Sequence, residues 1–407
     1  MAAALQERRY MMLILKNCRF VPFLTEGTDL TEGDVVVRDG LIDSIVPRGT
    51  AKAPEGEKAE VLDLAGKTLL PGLIDLHCHL FYENIGALMK GSSQPQPEFA
   101  INTLRYAQKF LDCGYTTVRD VGDTHCRPAM YVKRAIEAGK VKGPRITTSG
   151  PIISSNWTTL DTLDIFACGS DGFRDAVRKN FAQGADFIKL YGSGSLMMPS
   201  NEPGYPIIES DEIEAAVLVA KRNSSYVSVH AHGKTAIDMC VKAGVHTIEH
   251  ASMISEDTLK YIDESGQDTA LVLTMYAIDE ILEEPETYNG KRMTQIMPTI
   301  KESLLNAYNN HKNILLGWGT DVSLEKFTSD PMREFRLRKE TLGFTNEDIL
   351  RQATIDSAKI IYQDDKIGSV RPGKFADFVV VDGDPVSDIS VMYKVPEHVV
   401  KGGEIVR

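Results

Sequence analysis

Three short histidine clusters dominate the chemistry available to this sequence. The apolar run Leu70–Leu76 ends in His77–Cys78–His79, the run from Val227 ends in His230–Ala231–His232, and Thr247–Ile248–Glu249 leads into His250. Side chains alternate along a strand with a period of two, so a His-x-His pair at a strand end presents both imidazoles on one face. Either pair alone would read as polar residues at a strand end. Their recurrence on separate strands points to imidazoles converging on a metal ion. Asp321, where the apolar run Leu315–Leu316–Gly317–Trp318 gives out, adds a carboxylate able to ligate a cation and to take a proton from its bound water.

Lys189 interrupts the otherwise apolar Phe187–Ile188–Lys189–Leu190–Tyr191. A buried ammonium is costly unless it is neutralised or paired. Two readings follow: an ion pair with a nearby carboxylate, or reaction with carbon dioxide to a carbamate, whose two oxygens can bridge two cations. Tyr191, two residues on, shares the face of Lys189 and reads either as a hydrogen-bond donor to substrate or as packing. Arg119 and Asp120 read as a structural charge pair, and His246 as a stabilising residue at the far end of its strand. Nothing recommends His125, His311 or His398 for chemistry.

Positioning these residues requires a repeated strand-helix unit. From about residue 67, short apolar runs alternate with helix-length amphipathic stretches. Eight candidate strands emerge: Leu73–Leu76, Thr116–Arg119, Arg145–Thr148, Phe187–Leu190, Tyr226–His230, His246–Glu249, Thr269–Leu273 and Ile314–Gly317. Such alternation implies parallel pairing through right-handed crossovers, and eight units are what a (β/α)8 TIM barrel requires, with catalytic groups at the C-terminal strand ends. Short strands with turn signals, including the Asp39–Gly40 hairpin, precede this region and reappear after it. The two termini are therefore expected to form one small β domain, residues 1–66 with 367–407, around a barrel over 67–366.

The 407 residues carry 45 Lys and Arg against 57 Asp and Glu, a formal charge of −12, with no basic stripe, which argues against a nucleic-acid partner. The early apolar run Met11–Leu15 is far too short for a membrane span and no cleavage site follows it, so no membrane association is expected. Six cysteines without CxxC spacing support neither a disulfide framework nor a zinc knuckle, and suggest a reducing cytoplasm.

In that order and on those strands, His77, His79, Lys189, His230, His250 and Asp321 resemble the ligand set of the binuclear amidohydrolase superfamily, most closely its imidazolonepropionase-like branch with the Xaa-Pro dipeptidases. The likeness extends through Gly114–Asp120, Ala243–His250, Ala353–Lys359 and Gly368–Val380. It implies a distorted barrel with a terminal β-sandwich and two divalent metals, usually zinc. His77, His79 and Asp321 would hold the buried metal and His230 and His250 the exposed one, with N-carboxylated Lys189 and a hydroxide between them.

Asp321 would pass the proton of that hydroxide to the leaving nitrogen, in hydrolysis of a C–N bond. His232 would bind the substrate carbonyl or carboxylate, or else support His230. Self-association is common among such relatives and is expected here. The substrate would be a small-molecule amide, a dipeptide or N-acyl amino acid; the alternatives are a cyclic amide or imidazolone, or a catalytically silent binding protein. One departure stands out. Relatives carry Gly-Gly-His after the third strand, where this chain reads Ser149–Thr159 with Trp157 in the histidine's place, suggesting an apolar contact or loop packing. Substrate selection is expected from the loops 81–97, 152–168 and 192–206.

Overall fold

The computed structural model describes residues 12–84, 96–155, 164–196 and 203–407. Its strands in chain order are β1 (Met12–Phe20), β2 (Glu32–Arg38), β3 (Leu41–Val46), β4 (Ala59–Asp63), β5 (Thr68–Pro71), β6 (Leu73–Cys78), β7 (Tyr115–Asp120), β8 (Arg145–Thr148) and β9 (Ile152–Ser154). They continue with β10 (Asp164–Phe166), β11 (Ile188–Tyr191), β12 (Val227–Ala231), β13 (Thr247–His250), β14 (Ala270–Leu273), β15 (Leu316–Trp318), β16 (Phe378–Val381), β17 (His398–Lys401) and β18 (Glu404–Ile405). The chain divides into two compact units, the described parts of Met1–Ile74, Gln108–Thr117 and Pro331–Arg407, and those of Asp75–Ala107 and Val118–Asp330.

The first unit carries a mixed sheet ordered β18-β17-β16-β5-β1-β2-β3, with β4 beside β1, so strands from both ends of the chain share one sheet. The β2–β3 hairpin turns through Asp39 and Gly40, whose φ of 53° and 79° are the left-handed pair that a two-residue hairpin turn demands. Period-two alternation distributes the apolar side chains over two faces. Leu13, Leu15, Val35, Val37, Phe378 and Val380 pack into one cluster, while Met12, Ile14, Val36 and Ala51 form another.

The second unit is α/β. Strands β10-β9-β11-β12-β13-β14-β15 form a sheet whose pairs are all parallel, and β6-β7-β8 form a three-stranded sheet whose strands β6 and β7 begin in the first unit and end in the second. Every residue of β13 and β14 is buried, which is why these strands read as near-continuous runs and not as alternating ones. All eight expected strands form, with ends moved by no more than two residues. Two more, β9 and β10, appear where the alternation does not anticipate them, and β9 supplies a pairing to β11 through Ile153 opposite Leu190.

Main-chain bonds link the two sheets, from the end of β8 to the segment entering β11 and from β6 to the segment leaving β15. The Asp186 amide donates to the Thr148 carbonyl (2.8 Å) and the Asp321 amide to the His77 carbonyl (2.9 Å). The second of these bonds brings the end of β6, which carries His77, beside Asp321. All six cysteines are free. Among the described residues, no helix is long and apolar enough to cross a membrane.

Candidate active site

Five histidines and Asp321, singled out for chemistry, meet in one cluster. His77 Nε2 and His79 Nε2 lie 3.5 and 3.6 Å from Asp321 Oδ1, and His250 Nδ1 lies 3.8 Å from Asp321 Oδ2. His230 Nδ1 is 3.0 Å from His250 Nε2. Both His-x-His pairs share a face as their spacing requires, with ring centroids 5.5 Å apart for His77 and His79 and 4.5 Å for His230 and His232. Ligand atoms of His77, His250 and Asp321 lie within 4.8 Å of one another, as do those of His230, His232 and His250. Tyr191 packs its ring edge-on to His230 at 5.1 Å.

Special backbone makes this convergence possible. Glu249 and His250 are neighbours in β13 and should face opposite ways, yet Glu249 meets His77 while His250 meets His230. Left-handed φ angles at His250 (69°) and Ala251 (49°) break the alternation at the strand end, and Asp321 is left-handed as well (53°). Two glycines make room for imidazoles. A Cβ on Gly319 would come within 2.6 Å of the His77 Cβ, and one on Gly122 within 2.9 Å of the His79 ring.

Four of the five histidines, His77, His79, His232 and His250, have a partner outside the imidazole cluster at Nδ1. His79 Nδ1 donates to the Gly122 carbonyl (3.0 Å), which leaves its Nε2 lone pair facing Asp321. His250 Nδ1 is 2.7 Å from Thr274 Oγ1, and His232 Nδ1 is 2.8 Å from Ser252 Oγ. Burial pushes His77, His230 and His250 well below the usual histidine range, and pulls His79 to about 4 and His232 to about 3, so all five are neutral at neutral pH. Neutral imidazole is the form that binds metal.

Lys189 is buried on β11 with no hydrogen-bond partner for its Nζ. Burial lowers its pKa, against the pull of Glu249 and Asp321. Burial likewise raises Asp321, against the pull of Lys189. His230 Nε2 is a second buried atom without a partner. Clustered neutral imidazoles, a carboxylate and two orphaned buried nitrogens form a donor set that fits divalent cations.

One expected pairing is corrected. Arg119 does not pair with Asp120: its Nη2 lies 2.7 Å from Glu249 Oε1, whereas Asp120 accepts from the Leu80 amide (3.0 Å) and Thr148 Oγ1 (2.8 Å). Glu249, like Lys189, is a charged residue inside an apolar strand, and that placement is the signal in the sequence that marks it. Trp157 lies outside the described residues, as do 85–95, 156–163 and 197–202 within the three loops expected to select substrate. His246 stays apart from the cluster, its Nδ1 2.8 Å from the Asp268 carbonyl.

His311 has a structural role that its sequence context does not suggest. It caps helix Tyr288–Asn310, with Nδ1 2.6 Å from Asp263 Oδ2 and Nε2 3.1 Å from Glu256 Oε2. Burial lowers its pKa, but the two carboxylates outweigh burial and raise it. A raised folded-state pKa contributes stability that is complete below pH 6.5 and is lost as pH rises through the folded value. His311→Gln is therefore expected to lower the melting temperature by about 2 °C at pH 6 and by less at pH 9; equal losses at both would contradict the charged clamp.

Residues 68–406 match the amidohydrolase family. The chain is 27% identical over 375 residues to ochratoxinase from Aspergillus niger, covering 83% of this chain and 75% of that protein. A prolidase solved with N-methylphosphonate-L-proline superposes with a TM-score of 0.85 at 29% identity, covering 98% of this chain and 100% of the other. A Xaa-Pro dipeptidase with methionine in its active site gives 0.82 at 27% identity, covering 97% and 100%.

Proposed function

Because the chain belongs to the amidohydrolase family, we propose that it hydrolyses a C–N amide bond in a small substrate, a dipeptide or N-acyl amino acid with a free carboxylate. His77, His79 and Asp321 would hold one divalent cation and His230 and His250 a second, both zinc, with Lys189 as an N-carboxylated bridge. The carrying observation is the burial of Lys189 without a partner, within electrostatic reach of His77, His230 and Asp321. Burial favours the neutral amine, which is the form that captures carbon dioxide. Main-chain bonds from β8 to the segment entering β11 and from β6 to the segment leaving β15, with parallel pairing throughout the seven-stranded sheet, support a closed, distorted eight-stranded barrel over residues 67–366, with a terminal β-sandwich from 1–66 and 367–407.

Bound cations supply a water of lowered pKa and polarise the scissile carbonyl. The protein's own groups then divide the remaining work. Asp321, set between three imidazoles, takes the proton of the attacking water and delivers it to the leaving nitrogen. His232, fixed at Nδ1 by Ser252, orients the substrate carbonyl or carboxylate through its other nitrogen, and the Tyr191 hydroxyl donates to the same substrate group. A dipeptide-like substrate is favoured by the similarity to a prolidase and a Xaa-Pro dipeptidase.

The test is a panel of dipeptides and N-acyl amino acids against cyclic amides, using protein loaded with zinc and bicarbonate. Turnover of the open-chain set is expected, and turnover confined to cyclic amides would overturn the substrate class. Metal analysis guards the reading itself. Fewer than about one zinc per chain after loading would point to a silent binding protein instead.

A further inference from the structure

Glu249 is a buried charge that this mechanism leaves unused, and its two oxygens are employed unequally. Oε1 accepts from Arg119 Nη2 (2.7 Å), Ser228 Oγ (2.7 Å) and Thr247 Oγ1 (2.6 Å), whereas Oε2 faces His77 Nδ1 at 2.8 Å. Arg119 extends the clamp to the main chain of the same histidine's strand, because its Nε donates to the carbonyl of Leu76 (2.6 Å). Arg119, Glu249 and His77 are all fully or almost fully buried, so water does not compete for these contacts.

From this geometry we infer that Glu249 is a positioning residue that fixes the tautomer of His77 and thereby preorganises metal binding, with Arg119 and the two hydroxyls locking the carboxylate in place. The inference rests on the metal-dependent reading above only for its consequence. The tautomer itself is a property of the metal-free protein. A carboxylate can only accept, so His77 must carry its proton on Nδ1 and turn the lone pair of Nε2 toward Asp321, 3.5 Å away. An imidazole held this way by a carboxylate is both oriented and more basic as a ligand.

Glu249→Gln separates tautomer control from packing. Three donors surround the Oε1 position, so the glutamine oxygen must occupy it, and the NH2 group then faces His77 Nδ1. That nitrogen can now only accept, and the His77 proton moves to Nε2, the ligating atom. Ring-nitrogen NMR of 15N-histidine-labelled, metal-free protein, with His77 assigned through His77→Gln, is expected to give an Nδ1–H tautomer in the wild type and Nε2–H in Glu249→Gln. Chelator competition is expected to give about 10- to 100-fold weaker zinc binding at one position in the variant.

An Nε2–H His77 in the wild type overturns the inference, and this holds even if Glu249→Gln fails to fold. So does a folded variant that keeps both the wild-type tautomer and the wild-type affinity. A wild type with the expected tautomer but no zinc affinity would sink the metal-dependent reading while leaving the control of His77 by Glu249 standing.

Discussion

Lys189→Ala is expected to lower turnover by at least about 10³-fold, because losing the proposed bridge removes several kcal/mol of transition-state stabilisation. The same variant is expected to bind less metal than the wild type. Its Nζ has no partner within the protein, so deletion breaks no hydrogen bond, and the cost to folding is confined to the cavity left behind. Activity and zinc stoichiometry measured on one preparation, with circular dichroism to verify the fold, decide the matter. Wild-type zinc content in Lys189→Ala would contradict the carbamate. Retained zinc with lost activity would move Lys189 from metal bridge to substrate contact.

Asp321→Asn is the second substitution with a large expected effect, and it discriminates ligation from proton transfer. The amide keeps an oxygen at nearly the same place, facing His77 and His79, so at least one zinc is expected to remain. An amide cannot accept and return a proton, and removing general acid–base catalysis costs about 10²- to 10⁴-fold in rate. Steady-state kinetics with metal analysis check it. A variant that keeps full turnover would exclude Asp321 from the proton path, whereas one that loses all metal would reduce it to a ligand.

Much of this arrangement is legible before any coordinates. Strands β13 and β14 are buried on both faces and so announce themselves as unbroken runs, and the His-x-His spacing fixes a common face wherever the backbone is regular. What escapes the sequence is irregular backbone. The left-handed residues His250 and Ala251 carry no signature, so nothing in Thr247–Ile248–Glu249–His250 announces that two adjacent side chains turn to the same interior. β9 and β10 are three residues each, too short for a periodic pattern.

Arg119 and Asp120 do not pair because they are adjacent on β7. Neighbours on a regular strand point to opposite faces, so they cannot pair with each other. Arg119 therefore takes its carboxylate from another strand, from Glu249 in the apolar run of β13.

The left-handed backbone at Asp321, its amide tied to the His77 carbonyl and Gly319 pressed against the His77 side chain, bears on how such a scaffold diversifies. The carboxylate owes its place to main-chain geometry and a missing methyl, so drift at 249–251 or 319–321 is penalised whatever compound is being processed, while the connecting loops stay free to vary. A combinatorial library seeking new specificities should leave those six codons fixed and spend its diversity on the loops.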